Sequence, residues 1–396
     1  MRNIPECPPR PEVNQRADWV RKELRIETIT PMLGGGVTPL QLDRHSYVRG
    51  GTIRGLLRYW WRACQIHSDF QQLYEREKEI FGAASSPGRL TITVGEVEAE
   101  RFSENDRDFP DAVRFPFMGR GVPRIAEQSA RVEFALRLEY PVKYRRDIED
   151  ALWAWANFGG IGMRTRRGAG ALFIREYAPE SPRKLRERLT ELWGNGPQGC
   201  RSWSLLTPRL FWDTRNQRRQ ANETWKQALN SLFRFRQVPH GRRDNESRSR
   251  WPEADSIRRI TNRAHRRHRQ SITGDNDAFP RAELGLPLII RFKDNDEPRA
   301  VTISPLTTNP YEGSRRPSPV ILRPLKVEDG QIYPMALIMC TPPLRGVRLG
   351  PDGPPFGEEH VRGVLVRSYA NSPLDKFRAD SALEAFENML RREWRC

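Results

Sequence analysis

The chain has 396 residues, with 67 Lys and Arg against 50 Asp and Glu, a formal net charge of +17. That length suffices for two domains with cores of their own, and the excess positive charge calls for an anionic partner, nucleic acid being the commonest. Five scattered cysteines without a CxxC pair exclude a disulfide framework and a structural zinc site, and the absence of an 18-residue apolar run excludes a spanning helix.

Residues 1–21 are rich in proline and contain acidic side chains but no apolar stretch, so they read as an extended segment and not a signal peptide. With the reduced cysteines this points to a cytoplasmic protein with no membrane partner. Leu24 to Leu33 reads as a strand, ended by Gly34, Gly35 and Gly36. A loop carrying His45 leads to Gly50 and Gly51, then to Thr52 as the expected N-cap of an amphipathic helix. Ile53, Leu56, Leu57, Trp60, Trp61 and Cys64 recur at helical spacing on one face. Arg54, Arg58 and Arg62 stack at i, i+4 and i+8 on another, where like charges repel. No acidic residue lies between Arg49 and Asp69, so the row is expected to meet an external anion such as a phosphate. Glu75, Glu77 and Glu79 read as the solvated face of a further helix.

Leu90 to Glu98 and Arg131 to Tyr140 alternate with period two and read as strands, joined by a long Arg-, Pro- and Gly-rich loop. Asp147 to Phe158 reads as a helix and Ala169 to Tyr177 as a strand. The order β-α-β-β-α-β over residues 22–180 is the ferredoxin-like arrangement of an α+β fold. Residues 181–201 read as a linker. From 202 to 396 a strand near Trp203–Trp212, a helix from Glu223 to Phe235, strands at 286–292, 319–327 and 333–339, and a helix from Ser381 to Trp394 suggest a second such unit. It would be interrupted by a basic helical insertion at about 237–280, where arginines crowd from Arg234 to Arg269.

Between the second helix and the last strand of the first unit lies Phe158 to Leu172, with Gly159, Gly160, Gly162, Gly168 and Gly170 around Arg164, Arg166 and Arg167. A P-loop or dinucleotide fingerprint needs strand, glycine loop, helix; this loop runs helix, glycines, strand and lacks the Lys-Ser/Thr pair, so no nucleotide cofactor is expected. Its glycines allow backbone approach to an extended phosphate chain and its arginines supply counterions. Trp60 and Trp61 differ by about 100° around the helix, so one is expected in the core and one free to stack on a base. Trp153 and Trp155 read as core. His265 and His268 at i, i+3 stand among arginines, which disfavours a metal, and no carboxylate follows at helical distance.

PMLGGG (31–36), RGGTIRGLLRYWWRA (49–63) and GGIGMRTRRGAG (159–170), on a βαββαβ frame, resemble the RAMP superfamily of CRISPR proteins. Within it they are most similar to the large two-domain RAMP subunit of the type III-B (Cmr) effector, as are RWPEADSIR (250–258), FPRAELGLP (279–287) and RRPSPVILRPL (315–325). The resemblance implies two ferredoxin-like, RRM-like RAMP domains in tandem. It also implies a non-catalytic role holding the 3′-end region of the guide RNA (crRNA) and the paired single-stranded target RNA, beside other RAMP subunits, with no cofactor or metal. Carried onto this chain, the RNA-binding positions are Gly50, Gly51, Arg54, Arg58, Trp60, Trp61 and Arg62, with Gly159, Gly160, Gly162, Gly168, Arg164, Arg166 and Arg167. His45 joins them as an RNA contact, or, in the competing reading of a metal-independent endoribonuclease processing guide precursors, as its general acid or base. On the clamp reading, Arg58→Ala and Arg166→Ala each weaken RNA binding with little loss of stability.

Overall fold

The computed structural model describes residues 18–36, 38, 41–43, 45–101, 129–197, 202–215, 220–237, 240, 248–270, 276–306 and 315–394. The extended start, most of the loop between the two middle strands, and residues 241–247 of the basic segment lie outside them.

In chain order the first unit is β1 (Trp19–Thr28), β2 (Met32–Leu33), α1 (Gly50–Cys64), α2 (Phe70–Phe81), β3 (Thr91–Arg101), β4 (Ser129–Pro141), α3 (Arg145–Phe158) and β5 (Leu172–Phe173). The strands lie in the order β5-β1-β4-β3, all antiparallel. The single strand expected over 24–33 is divided, because the chain steps out at Ile29–Pro31 before β2 rejoins β4 through Met32 and Ala130. Thr30 fills the gap: its hydroxyl donates to Gly168 O at 2.6 Å and accepts from Ala171 N at 2.8 Å. The last strand is shorter than its apolar run, because Arg175–Tyr177 turn into a short 3₁₀ helix.

Period-two alternation divides the two faces of this sheet. Leu24, Ile26, Phe134, Leu136 and Leu138 are buried under α1 and α3. The other face carries a ladder of ion pairs, Arg21–Glu139 at 3.3 Å, Arg25–Glu133 at 2.5 Å, Arg137–Glu23 at 3.3 Å and Arg131–Glu100 at 3.9 Å. Opposite charges directly across strands, or diagonal to one another as in Arg25–Glu133, make the ladder self-neutralising.

The expected linker holds a helix, α4 (Pro182–Trp193), N-capped by Ser181 and packed on the first unit through Leu185 and Leu189. There follow β6 (Leu210–Trp212), α5 (Ala221–Arg236), α6 (Glu253–Thr261), β7 (Leu288–Ile290), β8 (Val301–Pro305), β9 (Val320–Lys326), β10 (Ile332–Ile338), β11 (Gly346–Leu349), β12 (Pro355–Gly357), α7 (Val364–Arg367), α8 (Pro373–Phe377) and α9 (Ala382–Glu393). One sheet runs β6-β10-β9 and another β12-β11-β8-β7. The insertion is therefore more than helical: α6 packs on a four-stranded sheet drawn from both sides of β9 and β10, around Ile257, Phe279, Ile303 and Val347.

β9 and β10 are buried on both faces, which explains their near-continuous apolar sequence. Ile321, Leu325, Met335 and Leu337 join the core beneath α1 and α3, while Val320, Leu322, Ala336 and Ile338 pack on α5 and α9. The molecule is thus a stack of sheet, helices, sheet, helices, with the helices of the first unit filling the space between the two sheets.

Candidate nucleic-acid interface

α1 begins at Gly50, two residues before the expected cap, with Arg49 in the N-cap position and no side chain bonded there. The first helical bond is Ile53 N to Arg49 O at 3.1 Å, so the amides of Gly50, Gly51 and Thr52 precede the hydrogen-bonded ladder. Gly51 is exposed, and a Cβ there would meet nothing within 4 Å. Just upstream, Asp43 accepts from the backbone amides of His45 and Ser46 at 3.0 and 3.1 Å and pairs with Arg49. His45 sits exposed in that turn.

The arginine row on α1 is not an open stripe. Arg54 donates to Phe81 O at 3.3 Å and Leu90 O at 2.8 Å, tying the end of α2 to the start of β3. Arg58 and Arg62 both hydrogen-bond Glu77 of α2. The Glu77 side chain is only 4% exposed, whereas its arginines are 36% and 40% exposed. Burial alone would raise its pKa; the hydrogen bonds from Arg62 and Arg58 outweigh that and hold the carboxyl below its ordinary range. Glu75 and Glu79 are exposed as expected, but Glu77 corrects the expected solvated acidic face. Leu73, Glu77 and Ile80 occupy one stripe of α2, so Glu77 faces inward and supplies the anion that the arginine row needs.

Both tryptophans are core. Trp60 is 4% exposed and Trp61 fully buried, the latter donating its Nε1 to Asp147 Oδ1 at 2.8 Å. Neither ring offers a face to a base, which corrects the stacking assignment: with helices packed beneath two sheets, both neighbouring directions on α1 are interior. Trp153 and Trp155 are buried as well. The exposed aromatic side chains of α2 are Phe70 and Tyr74, stacked at 6.5 Å with 17° between their planes.

The three segments 31–36, 49–63 and 159–170 converge around the glycine-arginine loop. Met163 N donates to Leu33 O at 2.7 Å and Gly170 N to Pro31 O at 2.8 Å. A Cβ on Gly162, whose φ is +82°, would lie 2.6 Å from Leu33 O, and one on Gly159 would lie 2.7 Å from Trp60 Nε1. Gly160 bridges to Ala171 across the neck of the loop. These glycines permit contact within the protein itself. Gly168, at φ +78°, does so across the units, its added Cβ falling 2.7 Å from Leu322 O.

Arg166 and Arg167 also cross that boundary. Arg166 donates to Ser318 O at 2.5 Å and to the Tyr59 hydroxyl at 2.7 Å. Arg167 donates to Val320 O at 2.7 Å, while its own carbonyl accepts from Trp225 Nε1 at 2.6 Å. In return Arg323 of β9, 1% exposed, reaches into the first unit and donates to Ala156 O, Gly159 O and Leu172 O at 3.1, 2.7 and 2.6 Å. Arg166 and Arg167 are therefore joint residues first, which corrects their reading as a clamp open to solvent. Arg323 was missed, although an arginine alternating with Ile321 and Leu325 in a buried strand was the available signal. Burial and the guanidinium groups of Arg236, Arg166 and Arg164 push Arg167 down to about 9, and burial alone brings Arg323 to about 9. Both remain cations at neutral pH. Arg164, in the left-handed conformation at φ +60°, is exposed at the tip of the loop.

In the insertion His268, Asp294 and Glu297 come within 4.8 Å of one another, the carboxylates arriving from the β7–β8 loop and not from helical spacing. Both oxygens of Glu297 are engaged, Oε2 with Arg258 at 2.8 Å and Oε1 with His265 N at 3.3 Å, which leaves the trio poorly suited to a cation.

Comparison with known proteins adds to this geometry. The RAMP superfamily model matches residues 25–173. CRISPR system Cmr subunit Cmr1-2 of Pyrococcus furiosus is 24% identical over 176 residues, covering 38% of this chain and 92% of that protein. Cmr1-1 of the same organism is 27% identical over 165 residues, 39% of this chain and 47% of that one. Among solved structures, apo Cmr1 from Pyrococcus furiosus aligns over 95% of this chain and 97% of its own, with 18% identity and a TM-score of 0.49. A chain of the type III-B Cmr-beta complex bound to cognate target RNA covers 81% of this chain and 94% of its own, at 12% identity and a TM-score of 0.46.

Proposed function

We propose that this chain, whose residues 25–173 match the RAMP superfamily model and which is similar to type III-B Cmr subunits, is a non-catalytic RNA-binding subunit of a CRISPR effector. It would hold the 3′-end region of the guide and the paired target RNA, with two ferredoxin-like units in tandem as its frame. The first unit's strand order β5-β1-β4-β3 supports that frame, as does the β-α-β-β-α succession of β6, α5, β9, β10 and α9 in the second.

The observation that carries the RNA reading is the concentration of guanidinium groups at the glycine-arginine loop. Arg164, Arg166 and Arg236 crowd Arg167, and the bonds that hold Arg166 and Arg167 end on carbonyls, a hydroxyl and a thioether rather than carboxylates. Positive charge that carbonyl dipoles solvate without cancelling remains available to a phosphate. The amides at the start of α1 supply a second anion-binding element. Ion pairs occupy much of the described open sheet face, so RNA is assigned to the loops and helix ends.

Arg164 is the residue to test, because Arg166→Ala would also break the joint. Arg164→Glu should weaken binding of single-stranded RNA and make the slope of log K against log salt shallower by about 1, with melting curves establishing that the variant folds. Unaltered affinity and slope would remove the loop from the RNA path.

A further inference from the structure

The arginines between 248 and 269 differ in how they are paired. Arg248, Arg258 and Arg259 are neutralised inside the insertion: Arg248–Asp255 at 3.2 Å, Arg258–Asp255 and Arg258–Glu297 at 2.8 Å, and Arg259–Asp277 at 3.1 Å. Immediately afterwards the pairing stops. Arg263, Arg266, Arg267 and Arg269 are all exposed, and among the described residues none forms an ion pair.

This segment lies against the β7–β8 loop, as the contacts of His265 and His268 with Glu297 and Asp294 require. The loop adds three more exposed cations, Arg291, Lys293 and Arg299, likewise without an ion pair among the described residues. The pairing of Ile290 with Val301 brings Arg291 and Arg299 to the same end of the sheet. Asp294 and Asp296 are the exposed acids of that loop, two against seven cations.

We propose that this face of the insertion, formed by Arg263, Arg266, Arg267 and Arg269 with Arg291, Lys293 and Arg299, is a second nucleic-acid surface that binds the phosphate backbone without reading sequence. It rests on the reading of the chain as an RNA-binding subunit and extends it to a site outside the first unit. Charge complementarity selects the occupant. The only large exposed apolar side chain on the insertion's sheet among the described residues is Ile289, which is too little for the apolar centre of a protein interface. Guanidinium groups distributed along an irregular segment suit a flexible phosphodiester chain, with each contact releasing counterions.

The test uses the full chain with all four of Arg263, Arg266, Arg267 and Arg269 changed to Glu, titrated with an unstructured single-stranded RNA and with DNA of the same sequence over a range of salt. Loss of four contacts should weaken binding about tenfold or more and flatten the salt slope by about 3, to the same extent for both polymers. Arg263→Gln with Arg267→Gln, less disruptive, should produce about half that change in slope, and melting curves establish that both variants fold. Unchanged slopes would overturn the surface; if Arg164→Glu still weakens RNA binding, the general function stands without it. Unchanged RNA binding with lost retention of a partner RAMP subunit would make the face a protein contact. An effect confined to RNA would overturn recognition through phosphate alone.

Discussion

Arg58 and Arg62 stand one turn apart and both point at Glu77, so two cations share one buried carboxylate. Replacing it with Gln strands both guanidinium groups. A fully buried pair broken this way costs ~3–5 kcal/mol, but solvent screens these arginines, so about 2 kcal/mol is expected at pH 7. The folded-state pKa of Glu77 is lowered, so its contribution is complete above the ordinary carboxyl value and is lost as pH falls through the depressed one. Denaturation of wild type and Glu77→Gln should therefore differ most near neutrality and converge in acid. A gap independent of pH would show that the charge is not what stabilises. The same residue marks how far the sequence could be read. The spacing of Leu73, Glu77 and Ile80 carried the sign of an inward carboxylate that the reading as a solvated face passed over, and its partners lie 15 and 19 residues away on another helix, which periodicity within one element does not report.

At the scale of elements, what was legible was whatever one element decides alone. α1, α3, β4, α5 and α9 appear within a few residues of their apolar periodicity, because burial of a stripe or a face fixes them. What was not legible depended on packing between elements. Thr52 has the chemistry of a cap, yet the helix starts at Gly50, so the glycines stand inside its first turn. Trp60 and Trp61 lie in two different directions, but a second sheet covers the one that an isolated unit would leave open. The short β7 and β8, and β11 and β12, pair as sequence neighbours, but the β8–β11 pairing that joins them into one sheet spans the intervening β9 and β10, which local alternation does not reveal. α1 also contains Gly55, exposed, with nothing within 4 Å of an added Cβ. Gly55→Ala should stabilise the protein by about 0.5–1 kcal/mol through helix propensity alone. Measured by denaturant unfolding, a loss of stability instead would mean that the backbone there needs glycine.

The two units share more than a boundary. One continuous core takes Leu136 from the first sheet, Trp61 and Trp155 from its helices, and Ile321 and Leu337 from the second sheet. Arg166 and Arg167 reach one way across it and Arg323 the other, each ending on backbone carbonyls that would need water if the units parted. Opening the joint would expose apolar helix faces and at the same time leave buried carbonyls unpaired, so neither unit has a stable state of its own to open into. Independent domains melt separately when the surface between them is small and polar; this surface is apolar at its centre and crossed by buried cations. The expected result is a single calorimetric transition whose van't Hoff and calorimetric enthalpies agree for the two sheets. Arg323→Ala should lower the temperature of that transition without splitting it. Two resolved transitions in the wild-type chain would overturn the shared core and make the glycine-arginine loop a hinge. A rigid joint is also what the RNA reading asks of this loop. Arg164 can offer its charge at a fixed place only if Arg166, Arg167 and Gly168, immediately behind it, are anchored in the other unit.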